Sequence, residues 1–336
     1  MAEWIECSIG DLCSTISDTY KGNDEYVVLV NTSDVLEGKV LNHETVANKN
    51  LKGQFKKTFK RDDILYSEIR PANKRFAYID FENTSNYIAS TKLMVLRHNE
   101  KVLPEYLFAL LKSNYVIAEL QHLAETRSGT FPQITFSSEL APMKVFLPDK
   151  DTQIRIVSIL SSIEQKIDKN NEINNNLEQQ TQAVYYKMFS EVNTVPVELS
   201  SIIDVRDGTH DSPKAQATGY YLITSKHLLP FGVDKTSANH ISKADFDKIN
   251  ERSLVETQDI LMSMIGTVGL ISYIPYETVD FAIKNVALFK TSHTPELAYY
   301  FLCYLKSERT LQYIEKCLAG STQKYISLGE LRKMPI

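Results

Sequence analysis

The sequence predicts an α+β protein, two repeated mixed α/β domains joined by a long coiled-coil helix. Three observations predict it. Asp63-Ile64-Leu65-Tyr66-Ser67 returns as Asp259-Ile260-Leu261-Met262-Ser263. The segments downstream of each copy also return: Leu111-Lys112-Ser113 answers Leu305-Lys306-Ser307, and Ser128-Gly129-Thr130 with Ile134 answers Gly320-Ser321-Thr322 with Ile326. Glu139-Leu140 and Met143 answer Glu330-Leu331 and Met334. Between the copies lies an uninterrupted heptad stretch. A duplicated module on a rigid spacer suggests recognition of two sites at a fixed separation.

The first domain, residues 1–148, opens with short strands broken by turns. Tyr26-Val27-Val28-Leu29-Val30, Ile64-Leu65-Tyr66-Ser67, Phe76-Ala77-Tyr78-Ile79 and Leu93-Met94-Val95-Leu96 are the apolar runs, with Glu37-Gly38 and Lys52-Gly53 as turn sites. Pro104 then starts a helix, since proline fits the first helical turn where its missing N–H is not needed. Leu107, Leu110, Leu111 and Ile117 give that helix its apolar face. A polar loop, Arg127 to Pro132, precedes a last strand near Val145. The second domain, residues 191–336, repeats this plan, with Pro295 near the start of its helix.

The spacer, residues 149–190, contains no Pro or Gly. Ile156, Leu160, Ile163, Ile167, Asn170, Asn174, Leu177, Thr181, Val184 and Met188 fall at alternating steps of four and three, which is a heptad seam. A helix of about 40 residues at 1.5 Å each is roughly 60 Å long. Asn170 and Asn174 on the seam fix register at some cost in stability. The seam exceeds what its flanking domains can cover, so it calls for a partner helix.

At 336 residues the length fits two ordinary domains, and the composition is that of a soluble globular protein. No apolar run reaches membrane-spanning length, and the N-terminus lacks the charge and apolar pattern of a secretory signal. Cys7, Cys13, Cys303 and Cys317 form no Cys-x-x-Cys pair and read as buried free thiols in a reducing compartment, giving a cytoplasmic expectation. The net charge of −5 argues against a generic nucleic-acid coat but does not exclude a sequence reader with local basic residues. One basic patch runs from Lys49 to Arg75, with Phe55, Phe59, Tyr66 and Phe76 interleaved. By charge alone it is as readily the solvated face of a hairpin as a nucleic-acid contact.

These features together resemble the specificity subunit of type I restriction–modification enzymes. The resemblance rests on the paired Asp-Ile-Leu-x-Ser segments, on Val145-Phe146-Leu147-Pro148 leading through Gln153-Ile154 into the heptads, and on Gly208-Thr209-His210-Asp211-Ser212-Pro213-Lys214. It implies that each domain reads one half of a split double-stranded DNA target and that two long helices, paired antiparallel, set the gap. It further implies recruitment of methyltransferase subunits and a motor-nuclease subunit, which bind S-adenosylmethionine, ATP and Mg, so that this chain holds no cofactor or metal itself. The sequence departs from the family after Met334-Pro335-Ile336, where the second helix is expected. A homodimer through the spacer helix is one way to supply the partner helix.

Base reading needs bidentate side chains, chiefly Arg or Lys to guanine and Asn or Gln to adenine, while phosphates take Lys, Arg, Ser, Thr and backbone N–H groups. The first-domain candidates are Arg70, Asn73, Lys74, Arg75, Arg127, Ser128, Thr130 and Gln133. The second-domain candidates are Thr209, His210, Lys214, Lys226, Thr267, Gln323 and Lys324. His210 serves equally well as a hydrogen-bonding residue of a turn. The string Pro148-Asp149 followed by Glu164-x-Lys166 matches a metal-dependent nuclease pattern, but Glu164 and Lys166 fall between seam residues on a helix, where carboxylates do not converge on a metal. No phosphate-binding glycine loop, methyltransferase tetrad or metal-spaced His/Cys set is present. The expected role is non-catalytic sequence recognition. A DNA-mimic or partner-sequestering inhibitor, favoured by the acidic balance, is the alternative, and a nuclease on Asp149, Glu164 and Lys166 a remoter one.

Overall fold

The computed structural model describes residues 4–49, 51, 53–127, 130–189, 195–320 and 323–336. The chain divides into two compact units, Met1–Lys169 and Asn170–Ile336. The division falls inside one helix.

In the first unit a four-stranded sheet runs in the order Cys13–Ile16, Leu93–His98, Ile64–Ser67, Phe76–Tyr78, with every neighbour antiparallel. All four residues of Ile64–Ser67 are buried, because both faces of this strand are covered. Side chains alternate across the sheet. Ile64 and Tyr66 join Met94, Leu96 and the helical residues Leu107, Leu111 and Leu120 in one core. Leu65, Ala77 and Val95 point the other way, into a second core with Val28, Val30 and Ala89. That second core belongs to a sheet ordered Thr45–Ala47, Tyr26–Val30, Tyr87–Ser90, Phe55–Lys57, whose central pair is parallel. Glu37 and Gly38, at φ 46 and 110, make the two-residue turn between Val35–Leu36 and Lys39–Val40. Trp4–Ser8 pairs antiparallel with Lys144–Pro148 and closes the unit.

The single helix read from Pro104 is two. Helix α1 is Pro104–Leu111 and α2 is Asn114–Arg127, with the break at Lys112-Ser113. Ser113 Oγ accepts the Val116 N–H at 3.3 Å and so starts the second helix, an N-cap that the apolar periodicity alone does not reveal.

Helix α3 spans Lys150–Phe189, 40 residues. Asp149 Oδ1 caps it by accepting the Thr152 N–H at 2.8 Å. Gln153, buried in its first turn, accepts from Leu103 N at 2.9 Å and donates to the Pro148 carbonyl at 2.9 Å, fixing the helix start to the first unit.

The second unit repeats the plan. Its main sheet is Val205–Asp207, Val286–Phe289, Ile260–Ser263, Ile271–Tyr273, again all antiparallel. A smaller sheet, Asn239–Ile241, Tyr220–Ile223, Phe281–Ile283, again contains one parallel pair. Helix α4, Lys243–Ser253, is an addition that the repeat does not predict; Ser242 caps it. Helices α5, Ala298–Leu305, and α6, Glu308–Cys317, break at Lys306-Ser307 as α1 and α2 do at Lys112-Ser113. The Leu199 N–H bonds to Met334 O at 2.9 Å, the counterpart of Ile9 N–H to Met143 O at 3.0 Å. The four cysteines are free, but only Cys13 is buried; Cys7, Cys303 and Cys317 are half-buried.

Candidate nucleic-acid interface

Each unit joins the loop after its Asp-Ile-Leu strand to the loop after its helix pair. In the first unit Arg70 N–H bonds to Pro132 O at 3.1 Å, and Ile134 N–H bonds to Glu68 O at 2.8 Å. Ile69 and Gln133 form a β-bridge. Arg70 thus stands beside the Pro132-Gln133 segment, with Asn73 and Lys74 following it in the same turn. In the second unit Gly266 N–H bonds to Lys324 O at 2.9 Å, Ile326 N–H bonds to Met264 O at 3.0 Å, and Ile265 bridges Tyr325. Thr267 is thereby set beside Gln323 and Lys324. The repeated serine braces both loops: Ser67 Oγ accepts from Ile69 N at 3.0 Å, and Ser263 Oγ accepts from Leu270 N at 2.8 Å.

The first-unit candidates differ in what already holds them. Arg70 and Asn73 are exposed. Lys74 pairs with Glu37 at 3.0 Å, an exposed contact of small worth that a phosphate can replace. Arg75 is different: its guanidinium donates to Ser33 O at 3.1 Å and Val35 O at 3.3 Å, so it braces the neighbouring turn. Arg127 pairs with Glu139 at 3.2 Å, and Gln133 accepts from Lys92 Nζ at 3.2 Å. Thr130 is exposed, whereas Ser128 lies outside the described residues, as do Gly129, Lys52, Ser321 and Thr322.

The basic run from Lys49 to Arg75 is not one cationic face. Lys57 is drawn inward onto the carbonyls of Thr91 and Leu93, at 3.0 and 2.8 Å, and burial lowers its ammonium pKa. Arg61 pairs with Glu82 at 2.6 Å. Phe59, Tyr66 and Phe76, read from spacing as interleaved aromatics, are core residues. Lys49, Lys56, Lys60 and Arg70 remain exposed.

In the second unit Thr209 bridges Lys284 at the smaller sheet. His210 lies between Asp207 Oδ2, at 3.0 Å from Nε2, and Asn285 Oδ1, at 2.8 Å from Nδ1. Asp207 is shared with Arg252 at 3.0 Å. The turn reading of His210 therefore describes its hydrogen bonds, although the ring remains exposed. Gly208 has to be glycine, since a Cβ there would meet Ile283 O at 2.3 Å. Thr209 to Pro213 and α4 residues Asp245, Lys248 and Arg252 line a cleft of about 440 Å3 carrying both signs of charge. Lys214, Lys226, Thr267, Gln323 and Lys324 are exposed.

Some positioning residues left no signal in the sequence. Gln121 Oε1 of α2 accepts the Ala72 N–H at 3.0 Å and seats the Pro71–Asn73 turn on the helix. Lys92 links Glu68 at 3.5 Å to Gln133. Both contacts join segments far apart in sequence. Among the described residues no His, Cys, Asp or Glu group could hold a metal ion, and no helix is long and apolar enough to cross a membrane.

On α3 the seam is only partly what the periodicity describes. Ile156, with Val157, is half-buried and packs against the first unit's core. Leu160, Ile163 and Ile167 are 38, 50 and 54% exposed, and Asn170 and Asn174 are exposed. Leu177, Thr181, Val184 and Met188 line an open groove of about 500 Å3 with Tyr185, Tyr299 and Tyr300. Tyr185, off the seam, is the residue that packs on the second core. The lysine of each repeated Leu-Lys-Ser reaches this helix: Lys112 pairs with Glu164, and Lys306 with Glu178 at 2.7 Å. Glu164 of the nuclease-like string is thus an ion-pair partner on a helix surface.

Residues 1–179 match the type I restriction modification DNA specificity domain. The type I restriction enzyme HindI specificity subunit of Haemophilus influenzae is 43% identical over 206 residues, which span 61% of this chain and 44% of that relative. Among solved structures, the HsdS subunit from Thermoanaerobacter tengcongensis aligns with 98% of this chain and 87% of its own, at 17% identity and TM-score 0.45. The type I restriction–modification S subunit from M. genitalium aligns with 99% of this chain and 87% of its own, at 14% identity and TM-score 0.47.

Proposed function

Since the chain belongs to the type I restriction–modification DNA specificity family, we propose that it is the non-catalytic reader of a split double-stranded DNA target. One half-site is assigned to the domain of residues 1–148 and the other to that of residues 191–336. The carrying observation is the repeated junction, Arg70 N–H to Pro132 O in one unit and Gly266 N–H to Lys324 O in the other. The same scaffold presents Arg70, Asn73, Lys74, Thr130 and Gln133 in the first case and Thr267, Gln323 and Lys324 in the second. Shared scaffold with unlike side chains is what two readers of unlike half-sites require. Thr209, His210, Lys214 and Lys226 supply further contacts, as do Arg127 and Ser128.

Methyltransferase subunits and a motor-nuclease subunit are the proposed partners, and S-adenosylmethionine, ATP and Mg are theirs to bind. The unburied seam of α3 is the proposed docking stripe, filled by a partner helix or by a second copy of α3. The test is to map N6-methyladenine in cells carrying the chain with its partner methyltransferase, then to exchange residues 1–148 for those of another family member. A bipartite methylated sequence in which one half changes supports the reading. A change in both halves, or in neither, opposes it.

A further inference from the structure

The chain has ten arginines. Eight are held within the protein by side-chain hydrogen bonds or ion pairs. Among the described residues only Arg70 and Arg309 have none, and Arg309 sits in the first turn of a regular helix. Arg70 is exposed and its backbone is left-handed, at φ 45 and ψ 77. That conformation crowds Cβ against the backbone and favours glycine.

The second unit shows what the fold itself asks for at this place. Gly266 makes the corresponding backbone bond and is also left-handed, at φ 79. A Cβ there would meet nothing nearer than Gln323 Nε2 at 3.9 Å. Space does not demand the glycine; the backbone does. The first unit has an arginine at the position, exposed and, among the described residues, with no internal hydrogen bond or ion pair of its side chain.

The root of Arg70 is fixed on every side. Its N–H bonds to Pro132 O, and its carbonyl accepts from Asn73 N at 2.8 Å. Pro71 is buried, and Gln121 holds Ala72. A rigid root below an uncommitted guanidinium lowers the ordering cost of a directional contact. A phosphate contact needs no such root, and Lys49, Lys56 and Lys60 are exposed to provide it. The planar fork of arginine matches O6 and N7 of guanine. Resting on the DNA-reading function proposed for the chain, we propose that Arg70 reads one guanine in the first domain's half-site, from a backbone conformation kept for that purpose.

The test uses the chain with its partner methyltransferase and compares Arg70→Gly, Arg70→Lys and Arg70→Ala. The readouts are the methylated sequence, the salt slope of binding and the thermal midpoint. Arg70→Gly is expected to hold or raise the midpoint, because glycine relieves the left-handed backbone, so a misfolded variant cannot mimic the result. It is expected to lose about 5- to 150-fold discrimination at one guanine, with the other half-site unchanged. Arg70→Lys is expected to keep the salt slope and recover only part of that preference. An Arg70→Gly complex that selects the same sequence as before overturns the proposal. So does uniform weakening on all DNA with the salt slope reduced by about one, the mark of a phosphate contact. A native complex that methylates no defined sequence sinks the functional reading itself, and needs no variant to reveal it.

Discussion

Asp259 and Lys290 form an ion pair, Oδ2 to Nζ at 2.6 Å, with both side chains withdrawn from solvent. Asp63 and Arg97 hold the same place in the first unit at 2.7 Å, with Asp63 fully buried. In both, the aspartate immediately precedes the strand of the repeated motif, and its cation is one residue beyond Leu96 or Phe289, the residues paired with Ile64 and Ile260. In both, the carboxylate also accepts the N–H of the residue three before it, Lys60 at 2.8 Å and Glu256 at 2.7 Å. The residue immediately before it is left-handed, Asp62 at φ 69 and Gln258 at φ 70. The repeated aspartate therefore pins the start of the strand whose other end carries the candidate DNA-contacting loop.

Removing Lys290 strands the buried Asp259 carboxylate, and removing Asp259 leaves the buried Lys290 only the half-exposed Glu256 carboxylate, at 2.7 Å. Asp259→Asn or Lys290→Met is expected to cost about 3–5 kcal/mol, whereas Asp259→Leu with Lys290→Met together should cost less than either alone. Urea denaturation of the variants measures this. Single variants within about 1 kcal/mol of the parent would show that the pair is not structural.

The two adjacent cations Lys74 and Arg75 should separate cleanly. Arg75→Ala removes donors to two carbonyls and should lower the thermal midpoint while leaving the salt slope of DNA binding alone. Lys74→Ala breaks only an exposed pair with Glu37 and should leave the midpoint alone while reducing the slope by about one. The reverse assignment of the two effects would mean that Arg75, not Lys74, meets phosphate.

This contrast marks how far the sequence could be read. Duplication and the helix were legible because both are periodic in sequence: Asp63 and Asp259 recur with their neighbours, and α3 repeats at steps of four and three. The candidate DNA-contacting side chains were less legible. A run of cations looks uniform in sequence, yet Lys57 turns inward to backbone carbonyls, Arg75 braces a turn and Arg70 stays free. The first two outcomes depend on partners 34 to 42 residues away, and spacing carries no record of them. Helix α4 was missed because the repeat has no copy of it in the first domain. The heptad phase also does not say where a domain already touches the helix, as at the half-buried Ile156.

The second domain should lose stability as pH falls through the ordinary imidazole range. Burial, aided by the neighbouring Lys226 charge, holds the His227 pKa below its usual value, and His227 Nδ1 accepts the Thr224 N–H at 2.9 Å. Above about pH 6.5 the ring is neutral in both folded and unfolded chains. Below that, the unfolded chain takes a proton that the folded chain resists, so stability declines and levels off once the pH passes the folded value. His227→Asn should flatten this part of the profile. Unfolding midpoints measured from pH 8 to 5.5 decide it, and parallel profiles for parent and variant would rule His227 out.

The seam makes the last prediction. Ile163 and Ile167 are half exposed on α3, with Leu160 one turn before them at 38%. Each forgoes part of the roughly 1.5–3 kcal/mol that full burial of such a side chain provides. A contiguous apolar stripe of this kind marks a protein interface. The isolated chain at micromolar concentration is therefore expected to associate through α3, or to require its methyltransferase partner to stay monodisperse. An antiparallel pairing brings Asn170 and Asn174 of each copy toward the crossing, where the amides can satisfy one another. Asn170→Leu with Asn174→Leu should then strengthen association and loosen register. Ile163→Asp should weaken it sharply. Light scattering separates the outcomes: a monodisperse monomer, indifferent to Ile163→Asp in both its own mass and its methyltransferase binding, would leave the stripe without a partner.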